Sequence, residues 1–249
     1  MSDIKILKMR DKNESHHRKK GKLFDLPMKL LVVGKSQLSG KSNLIGNLLL
    51  QEDKRLYRNE FEGDNIYIVS PSARTDDKIR TIIEELDIPG SNVFEDYNEM
   101  ELDALYEVLK DEYNNALMDK EKPKHKLIIF DDMSAGGNLK RNMNGVMSKI
   151  FCNGRHIMLS VIVSAQKYTD ILSTCRENTT GAILFSGTDR QLESIADDHS
   201  HIDRKEFKKL YRKLTNEKHS FMVVNYSNDL PARYMDKNFK PVSIVNGNN

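Results

Sequence analysis

The hydrophobic positions of the chain fall into short apolar runs separated by polar stretches with helical periodicity. The runs are continuous, not alternating, which is typical of strands buried on both faces of a parallel sheet. They predict strands at Met28–Val33, Ile66–Val69, Lys126–Phe130, Met158–Ser164, Ala182–Phe185 and Ser220–Asn225. The stretches between them predict helices at about Lys41–Leu50, Asp76–Leu86, Met100–Met118, Arg141–Cys152, Arg190–Asp197 and Asp203–Leu214. This alternation predicts an α/β fold with a central, mostly parallel sheet flanked by helices.

The two ends of the chain differ in composition from its middle. Residues 1–26 are polar and basic without sustained periodicity, which predicts a flexible N-terminal arm that can end in a short ordered lead-in at Leu23-Phe24. Residues 27–235 carry the strand and helix pattern of one domain, and residues 236–249 are interpreted as a C-terminal tail. Residues 1–22 contain eight Lys or Arg and three Asp or Glu, a local charge of +5. Because the whole chain has a net charge of +2, the other 227 residues have a net charge of −3. Any contact with a polyanion must therefore come from local patches or from the arm.

Hydropathy and cysteine content exclude several classes of protein. No apolar run approaches the roughly 18 residues of a membrane span, so we expect no membrane segment. The two cysteines, Cys152 and Cys175, are too few for a disulfide framework or a zinc ribbon, and they favour a reducing compartment. A chain of 249 residues can bury a sufficient core without either.

A glycine-containing loop follows the first predicted strand and precedes the first predicted helix. This context is typical of a P-loop, whose backbone N–H groups wrap nucleotide phosphates at the positive end of a helix. Lys41 is predicted to reach the β- and γ-phosphates, and Ser42 to place its hydroxyl on Mg²⁺. Five residues, not four, separate Gly34 from Gly40, so either the loop is one residue longer or Lys35 takes a conformation that glycine usually takes. The predicted nucleotide-binding residues are Gly34, Lys35, Ser36, Gln37, Leu38, Ser39, Gly40, Lys41, Ser42 and Asn43.

An acidic pair ends the third predicted strand, about 90 residues after this loop. Its position fits a Walker B motif. Asp131 is predicted to bind Mg²⁺ through its hydration shell, and Asp132 to orient and polarise the attacking water. The alternative is a pair of acidic turn residues that only cap the strand.

Arg155 and Gln166 mark the two ends of the fourth predicted strand. Gln166 falls at the same sheet edge as the phosphate loop, where it can sense the γ-phosphate or hold the attacking water. About ten residues of roughly 3.3 Å each separate it from Arg155, so Arg155 is predicted to serve the nucleotide of a neighbouring subunit as an arginine finger. A surface arginine and a glutamine that caps a turn are the alternatives.

Three other features each leave two interpretations open. Arg176 is either a second arginine acting in trans or part of a structural ion pair. The segment Gly136–Arg141 is either a basic loop that contacts DNA phosphates or a solvated loop. The basic stretch His16–Lys20 either binds DNA or another partner, or is a disordered tail.

These motifs resemble those of the genome-packaging ATPases of large eukaryotic DNA viruses and virophages, including the poxvirus packaging ATPase, within the FtsK/HerA group. The resemblance rests on GKSQLSGKS, IIFDD and GRHIMLSVIVSAQ, and it extends from about Met28 to Phe239. The spacing from Arg155 to Gln166 matches the finger-to-sensor spacing of these motors. The extra loop residue, Asp132 in place of a common Glu, and Ser-Ala-Gln in place of Thr-Gln are departures.

The resemblance implies a P-loop NTPase core of the ASCE (RecA-like) class, in which the sensor strand lies between the P-loop strand and the acidic strand. It implies ATP and Mg²⁺ as cofactors, and a pentameric or hexameric ring of identical subunits that threads double-stranded DNA. In such a ring, Gly136–Arg141 would face the pore. Capsid proteins are further candidate partners, with His16–Lys20 as a candidate contact, and the implied location is a cytoplasmic viral factory or the virion. Two other hypotheses remain: a P-loop switch or assembly protein that does not thread DNA, and a cellular or plasmid DNA translocase.

Overall fold

One eight-stranded sheet forms the centre of the molecule in the computed structural model, which describes residues 19–35, 39–132 and 145–243. The strands are β1 Lys29–Val33, β2 Ile66–Val69, β3 Val93–Phe94, β4 Lys126–Phe130, β5 Leu159–Ala165, β6 Gly181–Phe185, β7 Phe221–Asn225 and β8 Tyr234–Met235. Their order is β3-β2-β4-β5-β1-β6-β7-β8. The first six strands in this order are parallel to one another. The last two, β7 and β8, are each antiparallel to the strand before them.

The order of the central strands confirms the predicted core. The strand β5 pairs in parallel with β1 on one side and with β4 on the other, so the strand that leads to Gln166 separates the P-loop strand from the acidic strand. Val33 is in register with Ala165, and Phe130 with Val163. The carboxyl ends of these three strands therefore meet at one edge, called here the carboxyl edge; their amino ends define the amino edge.

Helices cover both faces of the sheet. They are α1 Lys41–Leu50, α2 Asp77–Glu85, α3 Glu99–Met118, α4 Val146–Asn153, α5 Ser173–Glu177, α6 Asp189–His199, α7 Arg204–Leu214 and α8 Leu230–Arg233. Residues of α1 and α2 pack in one apolar core with Leu30 and Val32 of β1. Residues of α3, α4, α6 and α7 pack in a second core with Leu31 and Val33, because successive side chains of a strand point to opposite faces.

Packed residues extend beyond the predicted domain, residues 27–235, at both ends. Within the predicted arm, Lys19 and Leu26 form an antiparallel bridge, and the Phe24 side chain is fully buried. The hydroxyl of Tyr57 accepts a hydrogen bond from the Phe24 N–H and donates one to the Phe24 carbonyl. Residues 19–26 are thus part of the packed domain, whereas residues 1–18 lie outside the described residues.

The predicted tail also begins inside packed structure. The N–H of Val242 donates to the carbonyl of Tyr234 over 3.0 Å, and the ring of Phe239 lies 5.7 Å from that of Phe221. Packing therefore continues at least to Val242, beyond the predicted end at residue 235. Residues 244–249 lie outside the described residues.

The predicted long elements differ from the structure mainly at their ends. Met158 has a φ of 57°, so β5 begins one residue later than predicted. The helix predicted at Arg141–Cys152 is described only from Val146 onwards, since residues 133–144 lie outside the described residues. The pattern missed β3, β8, α5 and α8, which have two to five residues each and are too short to show a period.

Candidate active site

The loop between β1 and α1 begins with Gly34 and ends with Gly40. A Cβ atom on Gly34 would lie 2.7 Å from the Cβ of Ser39 and 2.8 Å from that of Phe185, so a larger residue does not fit there. Gly40 has a φ of 88°, a backbone conformation that residues with a side chain rarely adopt. Close packing therefore requires glycine at position 34, and the backbone conformation favours glycine at position 40. Ser36, Gln37 and Leu38 lie outside the described residues.

Two hydrogen bonds draw the ends of this loop together. The Nζ of Lys41 donates to the carbonyl of Gly34 over 2.8 Å, and the hydroxyl of Ser39 donates to the carbonyl of Lys35 over 2.7 Å. Lys41 is only 8% exposed. Burial lowers the pKa of Lys41, while the charges of Asp132 and Asp131 act in the opposite direction. The lysine ammonium is therefore held inside the loop, facing the acidic pair.

The first turn of α1 is open to an anion. Gly40 precedes the helix and supplies no side-chain cap, so the first N–H groups lack the usual side-chain acceptor. These N–H groups carry the positive end of the helix dipole, which attracts phosphate. Ser42 and Asn43 lie in this turn; Ser42 is half-buried and Asn43 is exposed.

Asp131 lies at the end of β4 and is 2% exposed. Its N–H donates to the carbonyl of Val69, which fixes the residue against β2. Its Oδ1 atom is buried and accepts no hydrogen bond from the described residues. Burial raises the pKa of this carboxyl group, the nearby Ser164 hydroxyl acts in the opposite direction, and the charge of Asp132 raises the pKa further. A buried carboxylate oxygen that accepts no hydrogen bond from the described residues, close enough to Lys41 to feel its charge, fits Mg²⁺, which takes oxygen ligands.

Asp132 and Gln166 are brought into direct contact, although 34 residues separate them along the chain. The Nε2 atom of Gln166 donates to Oδ1 of Asp132 over 2.7 Å. Asp132 has a φ of 49°, so its backbone is left-handed where the chain leaves β4. The N–H of Gly34 also donates to the carbonyl of Ala165, which ties the start of the phosphate loop to the residue before Gln166. The structure therefore assembles the predicted loop, acidic pair and sensor glutamine at one edge.

Arg155 lies at the opposite edge of the sheet. It belongs to the 3₁₀ turn Gly154–Ile157 that precedes β5, and its side chain is exposed. Burial lowers the pKa of Lys29, at the amino end of β1, and the charge of Arg155 lowers it further. The seven residues of β5 span roughly 23 Å at 3.3 Å each. Arg155 is therefore too far from the phosphate loop of its own chain to contact a nucleotide there.

Arg176 forms an ion pair within its own chain. Its Nη1 lies 2.6 Å from Oδ2 of Asp198, and its guanidinium lies 5.0 Å from the centre of the Tyr168 ring. The Tyr168 hydroxyl donates to the same carboxylate over 2.7 Å. These contacts engage the guanidinium within its own chain, which fits the interpretation as a structural ion pair, and the role of Arg176 as a second arginine acting in trans stays a prediction.

His219 is a neighbour of the phosphate loop that sequence reasoning missed. Its Nδ1 lies 3.4 Å from the carbonyl oxygen of Ser39, within hydrogen-bond distance, and its φ is 60°. It belongs to the segment between α7 and β7, 180 residues away from Ser39 along the chain. A single histidine at that separation carries no sequence signal of the contact.

Among the residues that the structure describes, no helix is both long and apolar enough to cross a membrane.

The sequence indicated two segments as candidates for contact with DNA, Gly136–Arg141 and His16–Lys20. The first segment and residues 16–18 of the second lie outside the described residues.

Comparison with solved structures confirms the fold. The genome packaging NTPase B204 of Sulfolobus turreted icosahedral virus 2, in complex with AMP, superimposes with a TM-score of 0.57 at 14% identity, over 86% of this chain and 98% of B204. B204 of Sulfolobus turreted icosahedral virus, described as a DNA-packaging ATPase, gives a TM-score of 0.54 at 16% identity, over 87% and 98%. The cytoplasmic domain of the type VII secretion ATPase EccC of Thermomonospora curvata gives 0.53 at 13% identity, over 89% of this chain and 26% of EccC.

Comparison with known sequences identifies the family. No curated protein sequence matches the chain significantly. The family model described as Poxvirus A32 protein matches residues 15–227, a range that includes the phosphate loop, the acidic pair, Arg155 and Gln166. This match confirms the resemblance to the poxvirus packaging ATPase that the motifs indicated. The chain therefore belongs to the Poxvirus A32 protein family of ATPases.

Proposed function

We propose that this ATPase moves double-stranded DNA into a viral capsid, and that it hydrolyses ATP between neighbouring subunits of a ring. The proposal rests on the observation that the predicted catalytic residues lie at two opposite edges of the sheet. Gln166 contacts Asp132 beside the phosphate loop, whereas Arg155 is exposed at the other end of the same strand. A nucleotide site that uses both needs two copies of the chain.

The phosphate loop binds the triphosphate in this proposal. The open N–H groups of α1 and the ammonium of Lys41 surround the β- and γ-phosphates, and phosphate oxygens replace the Gly34 carbonyl as the acceptor of Lys41. The hydroxyl of Ser42 and the buried Oδ1 of Asp131 are the groups that would hold Mg²⁺. When bound, Mg²⁺ neutralises charge on the β- and γ-phosphates. B204 has been crystallised with AMP and with ATP-gammaS, which supports a nucleotide at this loop.

Asp132 positions the attacking water. Its carboxylate accepts from Gln166, which fixes the direction in which the remaining lone pairs point. A carboxylate held in this way can orient water for in-line attack on the γ-phosphorus and accept its proton. Arg155 of the next subunit neutralises the charge that develops on the transferred group, an effect worth about 10³–10⁵ in rate for such arginines.

DNA, the ring and the capsid complete the proposal. The resemblance to packaging motors and the description of B204 as a DNA-packaging ATPase support duplex DNA as the translocated substrate. Five or six subunits, contact with capsid proteins, and action in a viral factory or in the virion follow from the same resemblance.

The test is ATPase activity measured against protein concentration, with and without duplex DNA. We expect the specific activity to rise cooperatively with concentration and to increase on addition of DNA, because each site needs a neighbour and a substrate to move. Activity per subunit that is independent of concentration and of DNA would favour the nucleotide switch instead.

A further inference from the structure

The helix α7, Arg204–Leu214, carries six Lys or Arg residues and one Glu, a far higher positive charge than the rest of the domain. Phe207 and Tyr211 are its buried residues, and both join the apolar core of the sheet. The remaining surface of the helix divides into two rows of cations, each with a spacing of four residues. The two rows have different surroundings.

The inner row is neutralised by α6. Arg204 and Lys208 both contact Glu193, at 2.7 and 2.5 Å, and Arg204 also pairs with Asp197. Arg212 lies 2.9 Å from Asp189. The acidic residues of α6 are themselves four residues apart, so the two helices face each other with matched charges.

The outer row consists of Lys205, Lys209 and Lys213. All three are exposed, and none has an ion pair with a residue that the structure describes. Residues four apart on a helix are displaced by about 6 Å along the axis and about 40° around it. The outer row is therefore a band of three lysines without an ion pair to a described residue, about 12 Å long along the axis and turning about 80° around it.

We propose that the outer row of α7 binds the phosphate backbone of duplex DNA. This inference rests on the proposed function, in which DNA is the substrate, and it adds the surface that DNA contacts. Residues 23–249 sum to −3, so a polyanion can be held only where positive charge is locally concentrated. A regular row of unpaired lysines beside a row of paired cations is such a place. Binding of this kind depends on the charge and spacing of the DNA phosphates, and it is independent of base sequence.

The position of α7 brings this surface close to the nucleotide. The Tyr211 hydroxyl donates to the carbonyl of Phe185, the last residue of β6, so the C-terminal half of α7 lies at the carboxyl edge. Only the short segment 215–220 separates α7 from β7, and it contains His219, which contacts Ser39 of the phosphate loop. DNA on the outer row would thus lie one short segment away from the site of ATP hydrolysis.

The test compares two triple variants of the full chain. The variant K205Q/K209Q/K213Q removes the outer row, and K54Q/K120Q/K122Q removes three exposed lysines elsewhere with the same change in charge. The affinity for a duplex of mixed sequence is measured at several salt concentrations. Each lost phosphate contact reduces the slope of log K against log salt by about 0.9. We expect the outer-row variant to lose two to three units of slope and about 100-fold in affinity near 0.1 M salt, while the control keeps the wild-type slope.

Two further readouts make the outcome decisive. Circular dichroism melting and ATPase activity without DNA should match the wild type in both variants, which shows that the fold and the nucleotide site are intact. A wild-type slope in the outer-row variant, or an equal loss in the control variant, would overturn the proposal while leaving the motor function in place. A wild-type protein that binds no duplex DNA at all would instead overturn the DNA part of the proposed function, and this inference with it.

Discussion

The two edges of the sheet, to which the proposed function assigns parts of one nucleotide site, differ in how far their side chains are buried. At the carboxyl edge, Lys41, Asp131, Asp132 and Gln166 are all buried or half-buried, and each lies against another part of the site. At the amino edge, Arg155 is exposed, and its Nε donates a hydrogen bond over 3.4 Å to Nε2 of the adjacent His156. The first edge is organised to bind a ligand within the chain, and the second presents a charged group outwards. This difference is what a site shared between subunits requires.

The largest effect is expected from removing the lysine of the carboxyl edge. Lys41→Ala deletes the one side-chain ammonium that the phosphate loop holds, so we expect ATP binding to be lost and hydrolysis to fall by at least roughly 10³-fold. Isothermal titration and steady-state hydrolysis measure the two effects. Lys54→Ala, an exposed lysine after α1, is the control and should behave as the wild type. Normal turnover in Lys41→Ala would end the assignment of the phosphate loop.

The exposed arginine of the amino edge should matter almost as much to catalysis and little to the fold. Arg155→Ala is expected to reduce hydrolysis by about 10³-fold or more, with ATP binding and melting temperature close to those of the wild type. His156→Ala alters the neighbouring exposed side chain in the same turn and should keep its activity. If Arg155 were only a surface residue, both variants would retain full turnover.

The contact between Asp132 and Gln166 can be tested as a unit. Asp132→Asn should still bind ATP but hydrolyse it roughly 10²–10⁴-fold more slowly, since the amide cannot accept a proton from water. Gln166→Ala should also slow the reaction, and the double variant should be little slower than Asp132→Asn, because the two residues act together. Single-turnover rates at saturating ATP measure all three. Asp119→Asn, an exposed residue after α3, serves as the control. Additive losses in the double variant would show that the two side chains act independently.

Arg176 offers a contrast with Arg155 within the same chain. Its pairing with Asp198 and its stacking on Tyr168 give it a structural role, so Arg176→Ala should lower the free energy of unfolding by about 1–2 kcal/mol. Hydrolysis per folded molecule should change little. Denaturant unfolding measures the first quantity and active-site titration the second. A catalytic loss as large as that of Arg155→Ala, in a stably folded protein, would instead identify Arg176 as a second arginine acting in trans.

The smallest effect is expected at His219. This residue contacts the carbonyl of Ser39, so His219→Ala should loosen the phosphate loop and weaken ATP binding roughly fivefold, which corresponds to about 1 kcal/mol. The turnover number at saturating ATP should be close to that of the wild type. An unchanged affinity for ATP would show that the contact does not support the loop.

The sequence predicted which residues meet at an edge of the sheet better than it predicted individual side-chain contacts. Continuous apolar runs fix which segments are buried strands, and parallel strands place their carboxyl ends together, so the meeting of Lys41, Asp131 and Gln166 follows from topology. The ion pair of Arg176 was one of two interpretations, because a lone arginine carries no information on its partner. An ordered lead-in at Leu23-Phe24 was an expectation, but the contact of Phe24 with Tyr57 and that of His219 with Ser39 join residues 33 and 180 positions apart, and no local pattern reports such contacts.

The central claim is that each nucleotide site is completed by the arginine of a neighbouring subunit, and mixing two inactive variants tests it directly. Arg155→Ala retains an intact phosphate loop, and Lys41→Ala retains an intact Arg155. Where the two lie side by side in the required orientation, one complete site forms. We expect the mixture to recover a measurable fraction of wild-type hydrolysis, with a maximum at an intermediate ratio. No recovery at any ratio, in assemblies shown to contain both variants, would contradict hydrolysis at a shared interface.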